Sequence, residues 1–222
     1  MKLSRGNVEK KINMLAETKR ACNRITRIND NYFSRNILLR WIFWKRLQTI
    51  LNMTEKISNP ESMLDFGMGW GVLLPSLSRI FKRVYGVDIH RLSIDIAHQL
   101  VQLLDCKNVQ IMEVKPHEEL LMFKNGSLNC IIAADVLEHI PYFSNILLSF
   151  KRILINGGRL IVSIPTENLV YRFAKKLLRH PLSCDKHVSS SKAIEEMIKK
   201  NFVIKEQRNL FFFKVFDCVR DG

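Results

Sequence analysis

The chain has 222 residues, 47% hydrophobic and 25% charged, with a net charge of +14; that size fits one domain with a sizeable core and a helical extension, and that balance excludes a disordered chain. No apolar run reaches the roughly 18 residues that span a bilayer, and the first residues lack the apolar core of a secretory leader, so a cytoplasmic protein is expected, with peripheral attachment to a membrane surface left open. The cysteines (Cys22, Cys106, Cys130, Cys184 and Cys218) are scattered, odd in number and free of any C-x-x-C pair, which points to neither a disulfide framework nor a zinc site and fits a reducing compartment.

Residues 1–30 read as a polar helix with a basic face. The positive charge is concentrated near it: residues 1–60 hold 13 Lys/Arg against 4 Asp/Glu, a net of +9, which leaves +5 for the other 162 residues. Such an excess attracts RNA, anionic lipid or an anionic substrate, or it is a solvated surface with no partner. A second helix is predicted over 33–51, with Ser34 or Asn36 as its cap. Ile37, Trp41, Trp44 and Leu51 share one stripe of it. Leu39, Phe43, Leu47 and Ile50 widen the apolar surface, and Arg40, Lys45 and Arg46 lie between. This helix suits either a cover over a ligand pocket or a face resting on an anionic membrane. The turn Ser58-Asn-Pro-Glu-Ser62 follows, so residues 1–57 are assigned to a basic helical extension and 58–222 to the main domain.

From there the pattern alternates. Strands are predicted at 62–67, 83–88, 109–114, 128–134 and 159–165, and helices at about 70–81, 91–104, 142–154 and 189–200. The strands are short and apolar with little alternation, as in a parallel sheet covered on both faces. Asn156-Gly157-Gly158 reads as a tight turn before the fifth strand. Two further strands, starting at Phe202 and Phe211, are joined by a link short enough to require antiparallel pairing. The first βα turn, Leu64-Asp-Phe-Gly-Met-Gly-Trp-Gly71, places its glycines at 67, 69 and 71; Val72 stands where a dinucleotide-binding G-x-G-x-x-G turn needs its third glycine. The second strand ends in Asp88, 23 residues after Asp65.

This D-x-G-x-G-x-G string resembles motif I of the class I S-adenosylmethionine (SAM)-dependent methyltransferases. Further segments, in order over about residues 60–219, extend the likeness: Gly86-Val-Asp-Ile-His90, Leu121-Met-Phe-Lys-Asn-Gly-Ser-Leu-Asn-Cys-Ile131, Leu137-Glu-His-Ile-Pro141, and Arg152 through Pro165 with its Gly157-Gly158. His187-Val-Ser-Ser-Ser-Lys192, with Asn201-Phe202 in place of the common Gly-Phe, completes it. Asn, like Gly, tolerates a left-handed helix end at that position. The resemblance implies an α/β fold: a Rossmann-like, doubly wound, seven-stranded sheet, mostly parallel with a C-terminal antiparallel hairpin, plus N-terminal helices. It implies SAM as cofactor. Gly67, Gly69 and Gly71 would let the backbone approach the methionine part, where a side chain would block the turn or strain it. A plain tight turn is the alternative for Gly67 and Gly69. Asp65 would orient the cofactor's amino group, and Asp88 would accept both ribose hydroxyls, unless it only caps the next helix. Ile89 and His90 would line the adenine side, Glu118 would meet the adenine amino group, and Asp135, after the fourth strand, joins the cofactor set.

Because the sulfonium already activates the methyl group, the protein's task is chiefly alignment. An oxygen nucleophile also needs a base near neutral pKa, for which His139 and His187 are the candidates. Each has a structural alternative: His139 ties down a helix start, and His187 anchors a loop. Asp135, Glu138 and His139 resemble the E-x-x-E-H of ubiquinone-biosynthesis O-methyltransferases, a cluster associated there with a divalent cation; with Asp shortening the first position, no metal is assigned. The expected acceptor is a small or lipid-linked molecule, such as a quinone precursor, glycolipid or saccharide intermediate. The alternatives are ribose methylation of RNA, and a non-catalytic SAM-binding protein in which Phe66, Met68 and Trp70 narrow the pocket. Nucleic acid is disfavoured as a partner, because Ala134-Asp-Val-Leu137 replaces the [DN]-P-P-[YF] of base-amino methyltransferases. Peripheral contact with anionic membrane is assigned to residues 33–51.

Overall fold

The computed structural model describes residues 17, 18, 20, 21, 37–118, 120–166 and 188–222. Within them a helix α1 (Ile37–Thr54) precedes β1 (Ser62–Phe66), α2 (Leu74–Leu77), β2 (Arg83–Asp88), α3 (Arg91–Leu103) and β3 (Val109–Glu113). Then come β4 (Leu128–Ala134), α4 (Phe143–Ile153), β5 (Leu154–Pro165), α5 (Ser191–Asn201), β6 (Val203–Leu210) and β7 (Phe213–Val219). The strands form one seven-stranded sheet in the order β3-β2-β1-β4-β5-β7-β6. β1 to β5 pair in parallel, and β7 runs antiparallel to both β5 and β6.

The apolar strands follow from this layering. All five residues of β1 are buried. Leu64 and Phe66 pack with α4 and α5 on one face, while Met63 packs with α1, α2 and α3 on the other. A strand covered on both faces has no solvent side to keep polar. The edge strands β3 and β6 instead alternate between exposed and half-buried positions. The two cores leave the carboxyl ends of β1, β2 and β4 together at one rim, where ligands bind in open α/β sheets.

Three elements differ from the sequence reading. The helix predicted over 70–81 contracts to α2, because the chain between Gly67 and Gly71 turns through left-handed backbone at all three glycines. β5 begins at Leu154 rather than 159; Asn156-Gly157-Gly158 bulges inside it, with Gly157 at φ 75° and bonded through its N–H to the Arg220 carbonyl. On α1 the buried stripe is Leu39, Ile42, Arg46, Ile50 and Met53, and Ile37 and Trp41 face outward. Asn201 keeps helical backbone, since it is absent from the left-handed positions of the described chain, and its side-chain amide donates to the Met197 carbonyl. Ser34 and Asn36, the predicted caps, lie outside the described residues.

Candidate active site

A cavity of about 610 Å³ opens at the carboxyl rim, within the size range of small-molecule and cofactor sites. Its first wall is the glycine turn. Gly67 N–H and Met68 N–H both donate to the Val87 carbonyl, at 2.9 and 3.1 Å, which ties the turn to the end of β2. The three glycines do different work. A side chain at Gly67 would meet Val136 at 2.4 Å, and one at Gly71 would meet Leu74 and Ala97 at 2.8 and 2.9 Å. At Gly69, φ is 53° and the space a side chain would occupy is open. Gly69 therefore presents bare backbone to the cavity. Gly71 does not line it and serves packing between the turn and α3.

Asp88 braces this turn. One carboxylate oxygen accepts the Gly69 N–H at 2.8 Å and the other accepts the His90 N–H at 2.9 Å. The second bond is a local turn contact two residues on and not a cap, since His90 is the N-cap of α3 and no side chain caps that helix start. A carboxylate offers about four lone-pair sites, so each oxygen retains one toward the cavity. Ile89 and His90 continue the wall beside it. Asp65 sits deeper, 2% exposed, at the end of β1. Burial, then the neighbouring Asp88 charge, push its carboxyl up to about 7. A group so placed favours a cationic ligand over a second anion.

A second polar group lines the same cavity. Asp135 follows β4 in left-handed backbone, φ 53°, a conformation Asp tolerates better than most residues. Its N–H donates to the Ser163 carbonyl at 3.0 Å, and one carboxylate oxygen accepts the Ser163 hydroxyl at 2.6 Å. The other oxygen pairs with Arg46 from α1, whose side chain is almost wholly buried. The guanidinium lies 4.6 Å from the Phe213 ring centre and 5.3 Å from that of Phe43. Glu138 follows in a 3-10 turn (Leu137–His139), 1% exposed, with its Oε2 buried and without a hydrogen-bond partner among the described residues. Burial raises its carboxyl to about 7, against the opposing pull of Arg46.

The cavity thus brings together Asp65, Gly67, Gly69, Asp88, Ile89, Asp135 and His139. Glu118 stands apart on an exposed turn after β3, where Pro116 lines the cavity instead. His187 lies outside the described residues. Among those residues no three His, Cys, Asp or Glu side chains converge as a metal site, and Asp135, one member of D-x-x-E-H, is engaged by Ser163 and Arg46. The bulky turn residues Phe66, Met68 and Trp70 all line the cavity, and two of them are also held by packing. Phe66 packs edge-on against Phe150 at 5.1 Å, and the Met68 sulfur fills the space left by the missing side chain of Gly86. Arg46 is the cavity residue the sequence reading missed as such. The signal was its place at i+4 from Ile42 and i−4 from Ile50, on the buried stripe.

The residues fit SAM. Gly69 leaves room for backbone approach, Asp65 offers negative charge to an ammonium, and Asp88 has acceptor capacity for a pair of hydroxyls. The comparisons agree. The family model described as "Methyltransferase domain" matches residues 38–201. The chain is 31% identical over 105 residues to a ubiquinone biosynthesis O-methyltransferase of Nitrosococcus oceani, a stretch covering 46% of this chain and 43% of that protein. It is 24% identical over 108 residues to the namesake of Acinetobacter baylyi, covering 49% and 45%. The chain therefore spans less than half the length of these curated relatives. In fold it is similar to the N-methyltransferase NodS from Bradyrhizobium japonicum in complex with S-adenosyl-L-homocysteine, with a TM-score of 0.67, 14% identity and coverage of 93% and 100%. A SAM-dependent methyltransferase from Aquifex aeolicus gives a TM-score of 0.63 at 16% identity, covering 90% and 98%.

Proposed function

From the premise that this chain belongs to the methyltransferase-domain family, as a class I SAM-dependent methyltransferase, we propose that it methylates an oxygen of a small or lipid-linked acceptor. Quinone precursors, glycolipids and saccharide intermediates are the acceptor types in view. The observation that carries this reading is the shared cavity: the Gly69 backbone, Asp65 and Asp88 line it together with His139 and the Arg46–Asp135 pair. The relatives named as ubiquinone biosynthesis O-methyltransferases support oxygen as the nucleophile.

When bound, the cofactor supplies a methyl group already activated by its sulfonium. The chain's own residues bind, orient and deprotonate. Asp65, Gly67, Gly69, Asp88 and Ile89 hold the cofactor, with Asp88 receiving the ribose hydroxyls on the lone pairs its two backbone donors leave. His139 takes the proton of the acceptor hydroxyl on an imidazole nitrogen; a histidine titrates near the working pH, as a general base should. His187 keeps the same proposed role as a second base. Gly71 supports the turn from behind. α1 acts as a cover, with Phe43, Arg46 and Leu47 lining the cavity. The test is transfer of a labelled methyl group from SAM to paired acceptors that differ only in hydroxyl or amine. Products carrying an O-methyl ether support the reading, and exclusive methylation of the amines rejects it.

A second reading concerns where the acceptor is met. Ile37, Leu38, Trp41 and Phe211 are exposed, and Trp41 meets Phe211 edge-on at 5.9 Å. α1 carries no acidic residue, and Arg40 and Lys45 flank the patch. Apolar rings beside cations suit the interfacial zone of an anionic bilayer. No helix of the described residues is long and apolar enough to cross a membrane, so contact would be peripheral. Co-sedimentation with phosphatidylglycerol vesicles should be lost in Trp41→Ala/Phe211→Ala. Retention by that variant rejects this face as the contact.

A further inference from the structure

Two side chains join parts of the rim that the sheet holds apart. β3 and β4 are separated by β2 and β1, a gap of about 14 Å at the usual strand spacing. The carboxyl ends of those middle strands carry Asp88, Asp65 and the glycine turn, the groups assigned above to the cofactor. Yet the segments after β3 and β4 meet. The His117 and Tyr142 rings stack with 3.9 Å between centres and 27° between planes, and the His117 N–H donates to the Tyr142 hydroxyl at 3.1 Å. Tyr142 and Pro116 line the cavity, whereas His117 is exposed. The pair therefore stands at the boundary between cavity and solvent. Its two halves are mounted differently. Tyr142 is the N-cap residue of α4, its carbonyl accepts the Asn145 N–H at 2.9 Å, and Ile146, Leu147 and Phe150 bury the helix behind it. Arg152 of the same helix staples the far part of the β3–β4 segment, donating to the Leu120 and Phe123 carbonyls and to the Asn125 side chain. His117, at the near part, sits in left-handed backbone, φ 71°. A non-glycine residue keeps that conformation only where its neighbours enforce it, and such positions gather at ligand clamps.

We propose that the His117–Tyr142 stack is a clamp that retains the cofactor: closed, it shuts the rim beside the ends of β1 and β2, and it parts for SAM to enter and for S-adenosyl-L-homocysteine to leave. This rests on the placement of the cofactor at Asp65, Gly69 and Asp88. Tyr142 borders the ligand, and His117 is a positioning residue that acts through it. The firm end of the segment is the one Arg152 holds; the end that opens is held by one ring stack and one hydrogen bond. A stacked aromatic pair is strong enough to slow release by roughly three- to tenfold and weak enough to open thermally. Neither ring takes part in methyl transfer, and the proton stays with His139.

The test loads the full chain with radiolabelled S-adenosyl-L-homocysteine and chases it with an excess of the unlabelled compound, which reads the release rate directly. Tyr142→Ala should release the label roughly three- to tenfold faster than wild type. His117→Asn tolerates left-handed backbone and keeps the N–H but lacks the ring; it should match Tyr142→Ala, and the double variant should be no faster than either. Tyr142→Phe keeps the stack and should stay near the wild-type rate. The melting temperature of ligand-free His117→Asn should stay within about 2–4 °C of wild type, which a residue needed only for folding would not allow. If Tyr142→Ala does not fold, His117→Asn carries the test by itself. Release at the wild-type rate from His117→Asn, or accelerations that multiply in the double variant, would overturn the clamp. Failure of folded wild type to bind the label at all would instead sink the cofactor placement, and the clamp with it.

Discussion

Asp65 gives the sharpest test of the cofactor wall. Its carboxyl is raised from 3.8 to about 7 by burial and by Asp88. If the ionised form receives the ammonium of SAM, binding must compete with a proton in the neutral range. At pH 6 about one Asp65 in eleven is ionised, and at pH 8 about ten in eleven, so affinity should rise roughly tenfold between them, about 1.4 kcal/mol. Asp65→Asn carries no such proton and should lose the rise. The cofactor's own α-amino group titrates near 8, but it does so equally with both proteins, and the difference between the two curves isolates Asp65. The ligand-free protein gives a second readout. A folded-state pKa above the unfolded one means the folded protein binds more protons between about pH 4 and 7. Its stability therefore falls as pH rises through that window, by up to about 4 kcal/mol for a shift of this size. Asp65→Asn should flatten that fall and melt higher than wild type above pH 7. Calorimetric titration at pH 6, 7 and 8, with melting curves over pH 4–8, reads both. Parallel curves for the two proteins would refute the reasoning.

Gly69→Ala should lower cofactor affinity on the order of tenfold with a loss of only about 1 kcal/mol in stability, since its side chain enters open cavity space from left-handed backbone. Gly67→Ala should instead lower the melting temperature markedly, because the new methyl strikes Val136. Asp88→Ala removes the ribose acceptors together with the braces on Gly69 and His90. It should weaken SAM by roughly tenfold or more, and unchanged calorimetric affinity in a folded variant would remove Asp88 from the site. His139→Ala should leave S-adenosyl-L-homocysteine affinity intact while slowing turnover on the order of a hundredfold, with partial recovery at high pH; equal turnover would return His139 to tying down the helix start.

Much of the fold was legible because its signals are local. A strand buried on both faces writes itself as a mostly apolar run, as Met63, Leu64 and Phe66 do around Asp65, and the glycines at 67, 69 and 71 mark a turn whatever lies around it. The misreadings came from influences outside the segment. The helix over 70–81 satisfied periodicity, yet the left-handed turn that ends at Gly71 delays its start to Leu74. α1 offered apolar residues on more than one stripe. The sheet and the β7 ring Phe213 select the stripe of Leu39, Ile42 and Ile50, leaving Trp41 outside.

The candidate site divides along the same line. Asp65, Gly67, Gly69 and Asp88 lie within two strands and the turn between them, so one stretch of sequence specifies their arrangement. Arg46 belongs to a set assembled from four places: α1 supplies the cation, β4 the Asp135 carboxylate, β5 the Ser163 hydroxyl and β7 the Phe213 ring. Read alone, Arg46 is one of several cations on a basic helix. Its burial against Asp135 separates it from Arg40 and Lys45. A cation is tolerated at such depth only where a counter-charge meets it, so the pair ties α1 to the carboxyl rim of the sheet, and neither segment specifies that contact when read alone.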